Sequence, residues 1–94
     1  MSNLEVSNFD VSQYLDDKEI IAEYLSQILE DGDTAELLTA LGNIAKAKGM
    51  TQIAKDTGLG RESLYKTFNP NTKPKFETIL KIINSIGVKI QVSA

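Results

Sequence analysis

The sequence predicts an all-α domain of about five or six helices, to which the last residues could add a short β-strand. Two observations lead to this prediction. Apolar residues recur every three or four positions in three stretches of the chain, which is the period of an amphipathic helix. A glycine follows each of these stretches, where a left-handed residue commonly ends a helix. Because 94 residues with 41% apolar side chains suffice for one core, we expect residues 1–94 to form a single domain.

The N-terminal half is predicted to contain three helices. A short helix covers Phe9–Leu15, and a second helix runs from about Asp17 to Asp31; both belong to the acidic half of the chain. Asp16 and Glu19 match the pattern of a capping box at the start of the second helix. A third helix runs from about Asp33 to Lys48, again with acidic residues in its first turn.

One glycine lies inside the third helix rather than at its end. Gly42 destabilises this helix by about 1 kcal/mol relative to alanine. A glycine is favoured at such a position when a neighbouring element comes so close that no side chain fits between the two. We therefore expect a close approach of another helix at Gly42.

The C-terminal part is predicted to contain a polar turn, a helix and an alternating tail. Asn69–Lys73 is rich in turn-forming residues, and Pro74 fits the first turn of a helix over residues 74–86. The core stripe of this helix is predicted to comprise Phe76, Ile79, Leu80, Ile83 and Ile86. Residues 88–92 alternate apolar and polar, as a β-strand does. A lone strand has no partner, so this segment either pairs with the same segment of a second chain or is a frayed end.

The charges are divided along the chain. Residues 1–40 carry ten acidic side chains and one basic, whereas residues 41–94 carry nine basic and three acidic. The net charge of -3 therefore hides an acidic half and a basic half. This division indicates two faces with different partners, the basic one being a candidate for phosphate. A dipolar surface without a partner is an alternative that charge alone leaves open.

The composition argues against catalysis and against a membrane protein. The chain has no cysteine and no histidine, which removes disulfides, thiolate nucleophiles, and the commonest general base and metal ligand. We therefore expect no enzyme activity, no catalytic or metal-binding residue and no cofactor. The N-terminus does not resemble a signal peptide, and no apolar stretch approaches the roughly 20 residues that span a bilayer. A cytoplasmic protein is expected.

Residues 50–68 have the spacing of a DNA-binding helix-turn-helix. Two short helices that cross closely need a small residue at the contact, here Ala54, and the turn needs a residue that accepts a positive φ, here Gly58. Gly60 stands at the cap position of the second helix. The apolar residues expected to lock the pair onto the core are Ile53, Leu59, Leu64 and Phe68. A generic helical hairpin is the alternative, but the agreement of these features over nineteen residues favours DNA binding.

In this register the start of the second helix faces outward, where residues reach base edges. Arg61 suits bidentate pairing with guanine and Glu62 suits a cytosine amino group, whereas Tyr65 and Lys66 suit phosphate. The predicted DNA contacts are Thr51, Gln52, Lys55, Arg61, Glu62, Ser63, Tyr65, Lys66, Lys73 and Lys75. Because Glu62 repels phosphate, one copy should bind weakly, and we expect a homodimer on a two-fold site of double-stranded operator DNA.

A family resemblance is carried by Phe9–Leu15, Ala40–Met50 and Thr57–Lys66. These stretches are similar to the addiction-module antidote proteins, HigA-like antitoxins with a Cro/lambda-repressor type helix-turn-helix, and the resemblance covers nearly the whole chain. It implies a lambda-repressor-like fold and a bacterial or phage-derived type II toxin–antitoxin pair. The antitoxin of such a pair silences a RelE/HigB-like mRNA-cleaving toxin, binds its own operator as a dimer and represses its operon. The family's DNA-contact positions correspond to Gln52, Arg61, Glu62, Ser63 and Lys66.

The toxin-binding surface that the resemblance implies is assigned to the acidic N-terminal part. An RNA-cutting toxin should be cationic, and an acidic surface steers a cationic partner toward it. The candidate contacts are Phe9, Tyr14, Asp16, Asp17, Glu19 and Glu23. The alternative is that these charges are the solvated outer faces of helices.

Two other functions fit the sequence. One is a stand-alone Xre-type transcriptional repressor that has no toxin. A neighbouring gene for a small basic protein would argue against this function. The other is a protein-interaction module that does not bind DNA, which a steep salt dependence of DNA binding would exclude.

Overall fold

The structure, a computed structural model, describes residues 11–14 and 16–94 and is all-helical, which confirms the predicted fold class. Five α-helices follow a 3-10 turn at Val11–Tyr14. They are α1 (Lys18–Asp31), α2 (Thr34–Lys48), α3 (Met50–Thr57), α4 (Arg61–Thr67) and α5 (Phe76–Ile86). The short helix predicted over Phe9–Leu15 corresponds to the 3-10 turn, and both of those end residues lie outside the described part of the chain.

The start of α1 is shifted by one residue from the predicted capping box. Asp17, not Asp16, is the cap, and its Oδ1 accepts a hydrogen bond from the backbone N–H of Ile20 at 3.2 Å. Asp17 has the extended backbone conformation (φ -106°, ψ 92°) that a cap residue needs. Asp16 therefore stands one position too early to reach the third N–H of the helix.

The predicted bounds of α2 are confirmed, and so is the close approach at Gly42. The Asp33 carboxylate accepts a hydrogen bond from the Glu36 N–H at 3.1 Å at the start of this helix. A Cβ on Gly42 would lie 3.1 Å from the Cβ of Phe68, which directly follows α4. The absence of a side chain at this position thus lets the end of α4 rest against α2.

The last helix begins later than predicted and buries a different stripe. Lys75 is its extended cap residue, so Pro74 precedes the helix instead of opening it. Phe76 was expected in the core but is 67% exposed, because α5 enters the core only at Ile79. Ile82, which the predicted stripe omitted, is fully buried because α5 packs against both α2 and α3.

Residues 88–92 form no strand within the single chain. Val88 is buried and Ile90 is half-buried against the core, but Val92 is 95% exposed. The described part of the chain has no strand with which this segment could pair. The alternating sequence is therefore reflected in the burial of Val88 and Ile90, but not in strand hydrogen bonds.

A single cluster of apolar side chains joins the five helices. The largest fully buried residues are Ile28, Leu38, Leu41, Ile44, Ile53, Leu64 and Ile82. They come from every helix, and α2 contributes three of them and contacts α1, α3 and α5. The core therefore fixes the short helices α3 and α4 relative to α2. Among residues 11–14 and 16–94, no helix has both the length and the apolar content to cross a bilayer.

Tyr24 gives this core a pH dependence. Its side chain is buried on α1, and burial raises the pKa of its phenol, an effect to which the Glu36 carboxylate adds. A phenol with a higher pKa in the folded than in the unfolded state stabilises the fold while it stays protonated. That stability is complete below the ordinary tyrosine pKa of about 10 and is lost as the pH rises through the folded value.

We therefore expect the free energy of unfolding to fall less steeply between about pH 9 and pH 11 in Tyr24→Phe than in the wild type, because phenylalanine cannot ionise. Urea denaturation at a series of pH values measures this slope. Tyr65→Phe, which alters a half-exposed tyrosine, is the control and should keep the wild-type slope. Identical slopes in all three proteins would contradict the assignment.

Candidate nucleic-acid interface

A three-residue turn separates α3 from α4. The first of its residues, Gly58, has a φ of +76° in the left-handed region, and its N–H donates to the Ala54 carbonyl at 2.9 Å. The last, Gly60, is extended (φ -72°, ψ 156°) and caps α4 without a side-chain hydrogen bond. The turn thus has the conformation that the glycine spacing predicts.

Thr57 holds this turn in place, a role that the sequence reasoning missed. Its Oγ1 donates to the Ile53 carbonyl at 2.7 Å and accepts from the backbone N–H of Leu59 at 3.2 Å. The hydroxyl therefore links the last turn of α3 to the start of the connection. A threonine directly before a helix-ending glycine is the signal that could have revealed it.

The predicted locks lie where the register requires. Ile53 and Leu64 are completely buried, and Phe68 is 7% exposed. Leu59 and Ala54 are partly buried and pack against the same core. Leu64 is the one buried residue of α4. This short helix is therefore anchored to the core through Leu64 and through Phe68, the residue that follows the helix.

The opposite side of α4 faces away from the core. Its exposed residues are Arg61, Glu62, Ser63, Tyr65 and Lys66, all of which belong to the predicted DNA contacts. We call this set the α4 outer face. It presents two cations, a carboxylate, a hydroxyl and a half-exposed phenol within two turns of one helix.

The predicted contacts on α3 are exposed as well, and one of them has a partner. Thr51, Gln52 and Lys55 all lie at the surface. Gln52 donates from Nε2 to Asp56 Oδ1 at 2.8 Å, a contact between residues four apart on one helix. Asp56 was not among the predicted site residues, although its spacing from Gln52 could have indicated it. Its carboxylate competes with any phosphate for the Gln52 amide.

The loop after α4 carries two further predicted contacts, Lys73 and Lys75, both exposed. Its own hydrogen bonds hold it. The Asn69 side chain accepts from the Asn71 N–H at 2.9 Å, and the Thr72 hydroxyl donates to the Asn69 carbonyl at 2.7 Å. The two lysines are therefore presented on a defined turn next to the start of α5.

The acidic residues predicted to meet a toxin surround the start of α1. Asp16, Asp17, Glu19 and Glu23 are exposed and Tyr14 is half-buried, whereas Phe9 lies outside the described part of the chain. The Asp17 carboxylate already caps α1. Glu19 and Glu23 lie one turn apart on the same side of α1, and they form the clearest acidic surface of this group.

The α3–α4 surface has a small positive excess. The surface carries three positive side chains, Lys55, Arg61 and Lys66, and two negative ones, Asp56 and Glu62. The lysines of the following loop add further positive charge. A surface of this kind attracts phosphate moderately, and its strength will depend on salt. Among the residues that the structure describes, no group of three acidic side chains is arranged to hold a metal ion.

Comparison with known proteins finds a matching family and a similar protein. A family model described as "Probable addiction module antidote protein" matches residues 5–94. A Haemophilus influenzae protein described as uncharacterized is 39% identical over 88 residues, which span 94% of this chain and 91% of that protein. No solved structure matches the chain.

The turn offers a matched pair of substitutions. A Cβ on Gly58 or on Gly60 would meet no atom of the described residues within 4 Å, so neither substitution causes a steric clash, and the positive φ belongs to Gly58 alone. Gly58→Ala forces an alanine into the left-handed region and should lower the free energy of unfolding by about 1–2 kcal/mol. Gly60→Ala, at an ordinary extended conformation, should change it by only a few tenths of a kcal/mol, because the lower entropy of the unfolded chain is offset by the poorer helix cap that alanine makes. Urea denaturation measures both, and equal effects would show that the turn does not depend on the positive φ.

Proposed function

The chain belongs to the family of probable addiction module antidote proteins, and on that basis we propose that it is the antitoxin of a type II toxin–antitoxin module. In this proposal it binds operator DNA as a homodimer through a Cro/lambda-repressor type helix-turn-helix and represses its own operon. It also neutralises a RelE/HigB-like mRNA-cleaving toxin, and it acts by binding rather than by catalysis. Family membership supports a toxin partner over a stand-alone repressor.

The observation that carries the DNA-binding part is the α4 outer face. An α-helix with its side chains is about 10–12 Å across, and a major groove about 12 Å wide admits it. Leu64 is fully buried beneath this face, and the five polar residues around it are all exposed. A short helix with one buried anchor can enter the groove without losing its contact with the core.

The first turn of α4 is the part that we assign to base recognition. Arg61 would pair with the two acceptors of a guanine, and Glu62 would accept from the amino group of a cytosine. Ser63 has the reach for either a base edge or a phosphate. Farther along, Tyr65 and Lys66 would bind the DNA backbone. A guanine next to a cytosine is thus the expected centre of each half-site.

The start of α3 is assigned to the phosphate backbone. Gly49 caps this helix without a side-chain hydrogen bond, so the first backbone N–H groups of α3 have no acceptor within the helix or among the side chains of the described residues. Such groups bind phosphate. Thr51 and Gln52 lie in this turn, and Gln52 must exchange its Asp56 contact for a phosphate contact when DNA binds.

The toxin-binding part of the proposal depends on the acidic start of α1. Glu19 and Glu23 are exposed on one side of this helix. An acidic surface accelerates the encounter with a cationic RNA-binding partner and contributes to its specificity. Because these residues belong to α1 and the DNA contacts to α3, α4 and the following loop, the two functions use different elements.

We expect Lys66→Ala to weaken binding to a duplex from the protein's own promoter and to reduce the salt slope of log K by about one unit, because one phosphate contact is lost. Arg61→Ala should instead lower affinity by about 1–3 kcal/mol for the preferred sequence and relax the preference. Fluorescence anisotropy at several salt concentrations measures both. Lys81→Ala, an exposed lysine on α5, removes the same charge as a control and should leave the slope unchanged. Absence of duplex binding even at low salt would refute the DNA-binding part.

For the toxin, we expect Glu19→Lys combined with Glu23→Lys to lower affinity at least about tenfold, since two attractive charges become repulsive. Calorimetry with the toxin of the proposed module measures the affinity. Glu30→Lys combined with Asp31→Lys makes the same charge change at the other end of α1 and should have a much smaller effect. Equal losses in both variants would indicate long-range attraction alone, and no loss in either would remove α1 from the interface.

A further inference from the structure

The C-terminal tail combines a strand-like pattern with a backbone that has no hydrogen-bond partner among the described residues. Val88, Ile90 and Val92 would share one side of an extended strand, and exposure rises from 7% at Val88 to 95% at Val92. Lys89 and Gln91, between them, are exposed. The N–H and C=O groups of residues 89–92 make no hydrogen bond to the rest of the described chain. The segment thus has an apolar side that its own core covers only in part.

We propose that residues 88–92 pair with the same residues of a second copy in an antiparallel two-stranded ribbon centred on Ile90. The proposal rests on the homodimer proposed above and supplies its interface. Pairing gives the tail backbone the hydrogen-bond partners that residues 11–14 and 16–94 do not provide within one chain. It also explains why an alternating pattern is present in a chain that has no second strand among its described residues.

The pattern is self-complementary in this register. In an antiparallel pair centred on Ile90, Val88 lies opposite Val92 of the second copy, and Ile90 lies opposite itself. Lys89 then lies opposite Gln91, so no two like charges meet. A shift of two residues in one direction would place Lys89 opposite itself, and the same shift in the other would leave Val88 opposite Ala94. The centred register is the one in which every apolar residue meets a large apolar residue.

The neighbouring surface can receive the second copy. A groove between α1 and the tail is lined by Ala22, Leu25, Leu29, Ile83, Val88 and Ile90, together with polar residues at its rim. Leu29 is 45% exposed there. In the paired ribbon, Val92 of the second copy comes next to Val88 and therefore to this groove. The side chain that is most exposed in one copy would thus be covered by the core of the other.

The start of the tail is well anchored, which favours strand pairing. Gly87 ends α5 with a φ of +100°, and the Val88 N–H donates to the Ile83 carbonyl at 3.4 Å. A two-stranded ribbon is marginal by itself in water. Here each strand is fixed to the end of α5 and rests on an apolar core, so the ribbon does not have to be stable alone.

Single cysteines test the register directly, because the chain has none of its own. Ile90→Cys should form a disulfide-linked dimer under mild oxidation, since residues directly opposite have Cβ atoms about 4.5–5.5 Å apart. Neither Lys89→Cys nor Gln91→Cys should link to itself, but an equimolar mixture of these two variants should form the mixed dimer. Self-linkage of the Gln91→Cys or the Lys89→Cys protein, or failure at Ile90, overturns the proposed register.

A charge pair on the solvent side provides a second test that does not depend on cysteine chemistry. Gln91→Glu places a carboxylate opposite Lys89 twice per dimer and should tighten the dimer roughly fivefold, whereas Gln91→Lys should weaken it by a similar factor. Analytical ultracentrifugation without DNA measures the dissociation constant. A dimer that is insensitive to both changes has another interface, which overturns this inference but leaves the proposed homodimer standing. A monomer at all concentrations overturns both, and DNA binding by that monomer would still support the proposed DNA-binding role.

Discussion

The close packing of Phe68 against Gly42 is the contact on which the proposed function depends most. The end of α4 approaches α2 so closely that a Cβ at residue 42 would lie 3.1 Å from the Phe68 Cβ. Leu64, one turn earlier, is completely buried. Since α2 contacts three of the other helices, these two anchors fix α4 relative to the whole core. The direction in which the polar residues of α4 point is therefore a consequence of core packing.

The other features of the surface follow from this arrangement. A helix of seven residues has little stability of its own, so the left-handed Gly58 and the Thr57 hydroxyl must hold its start while the core holds its end. What remains exposed is a small polar surface with only a slight positive excess. A weakly charged surface of this size suits two copies acting together better than one, which connects the α4 outer face to the question of how the chain dimerises.

Much of the fold could be predicted from the sequence because helix ends are local. The bounds of α2 follow from an acidic cap and a terminal glycine, and the Gly42 contact follows from a glycine that helix propensity alone disfavours. Two helix starts were still misplaced by one or two residues, at the Asp17 cap of α1 and the Lys75 cap of α5, and the larger errors arose where distant contacts decide. Phe76 has the right spacing for the core stripe but lies before α5 reaches the core, and residues 88–92 have a strand pattern without a strand beside them. The exposure of the candidate site residues could be predicted from their positions around the two helices. The Gln52–Asp56 hydrogen bond could not, because it depends on side-chain conformations as well as on the spacing of the two residues.

The central claim is that the outward side of α4 enters a groove of operator DNA. A titration of isotope-labelled protein with its promoter duplex, followed by NMR of the backbone amides, tests this claim most directly. The account predicts that the largest shift changes cluster at residues 61–67 and at the first turn of α3, and that α1 stays unaffected. Changes confined to α1 or to the C-terminal tail, or no changes at any duplex concentration, would contradict it.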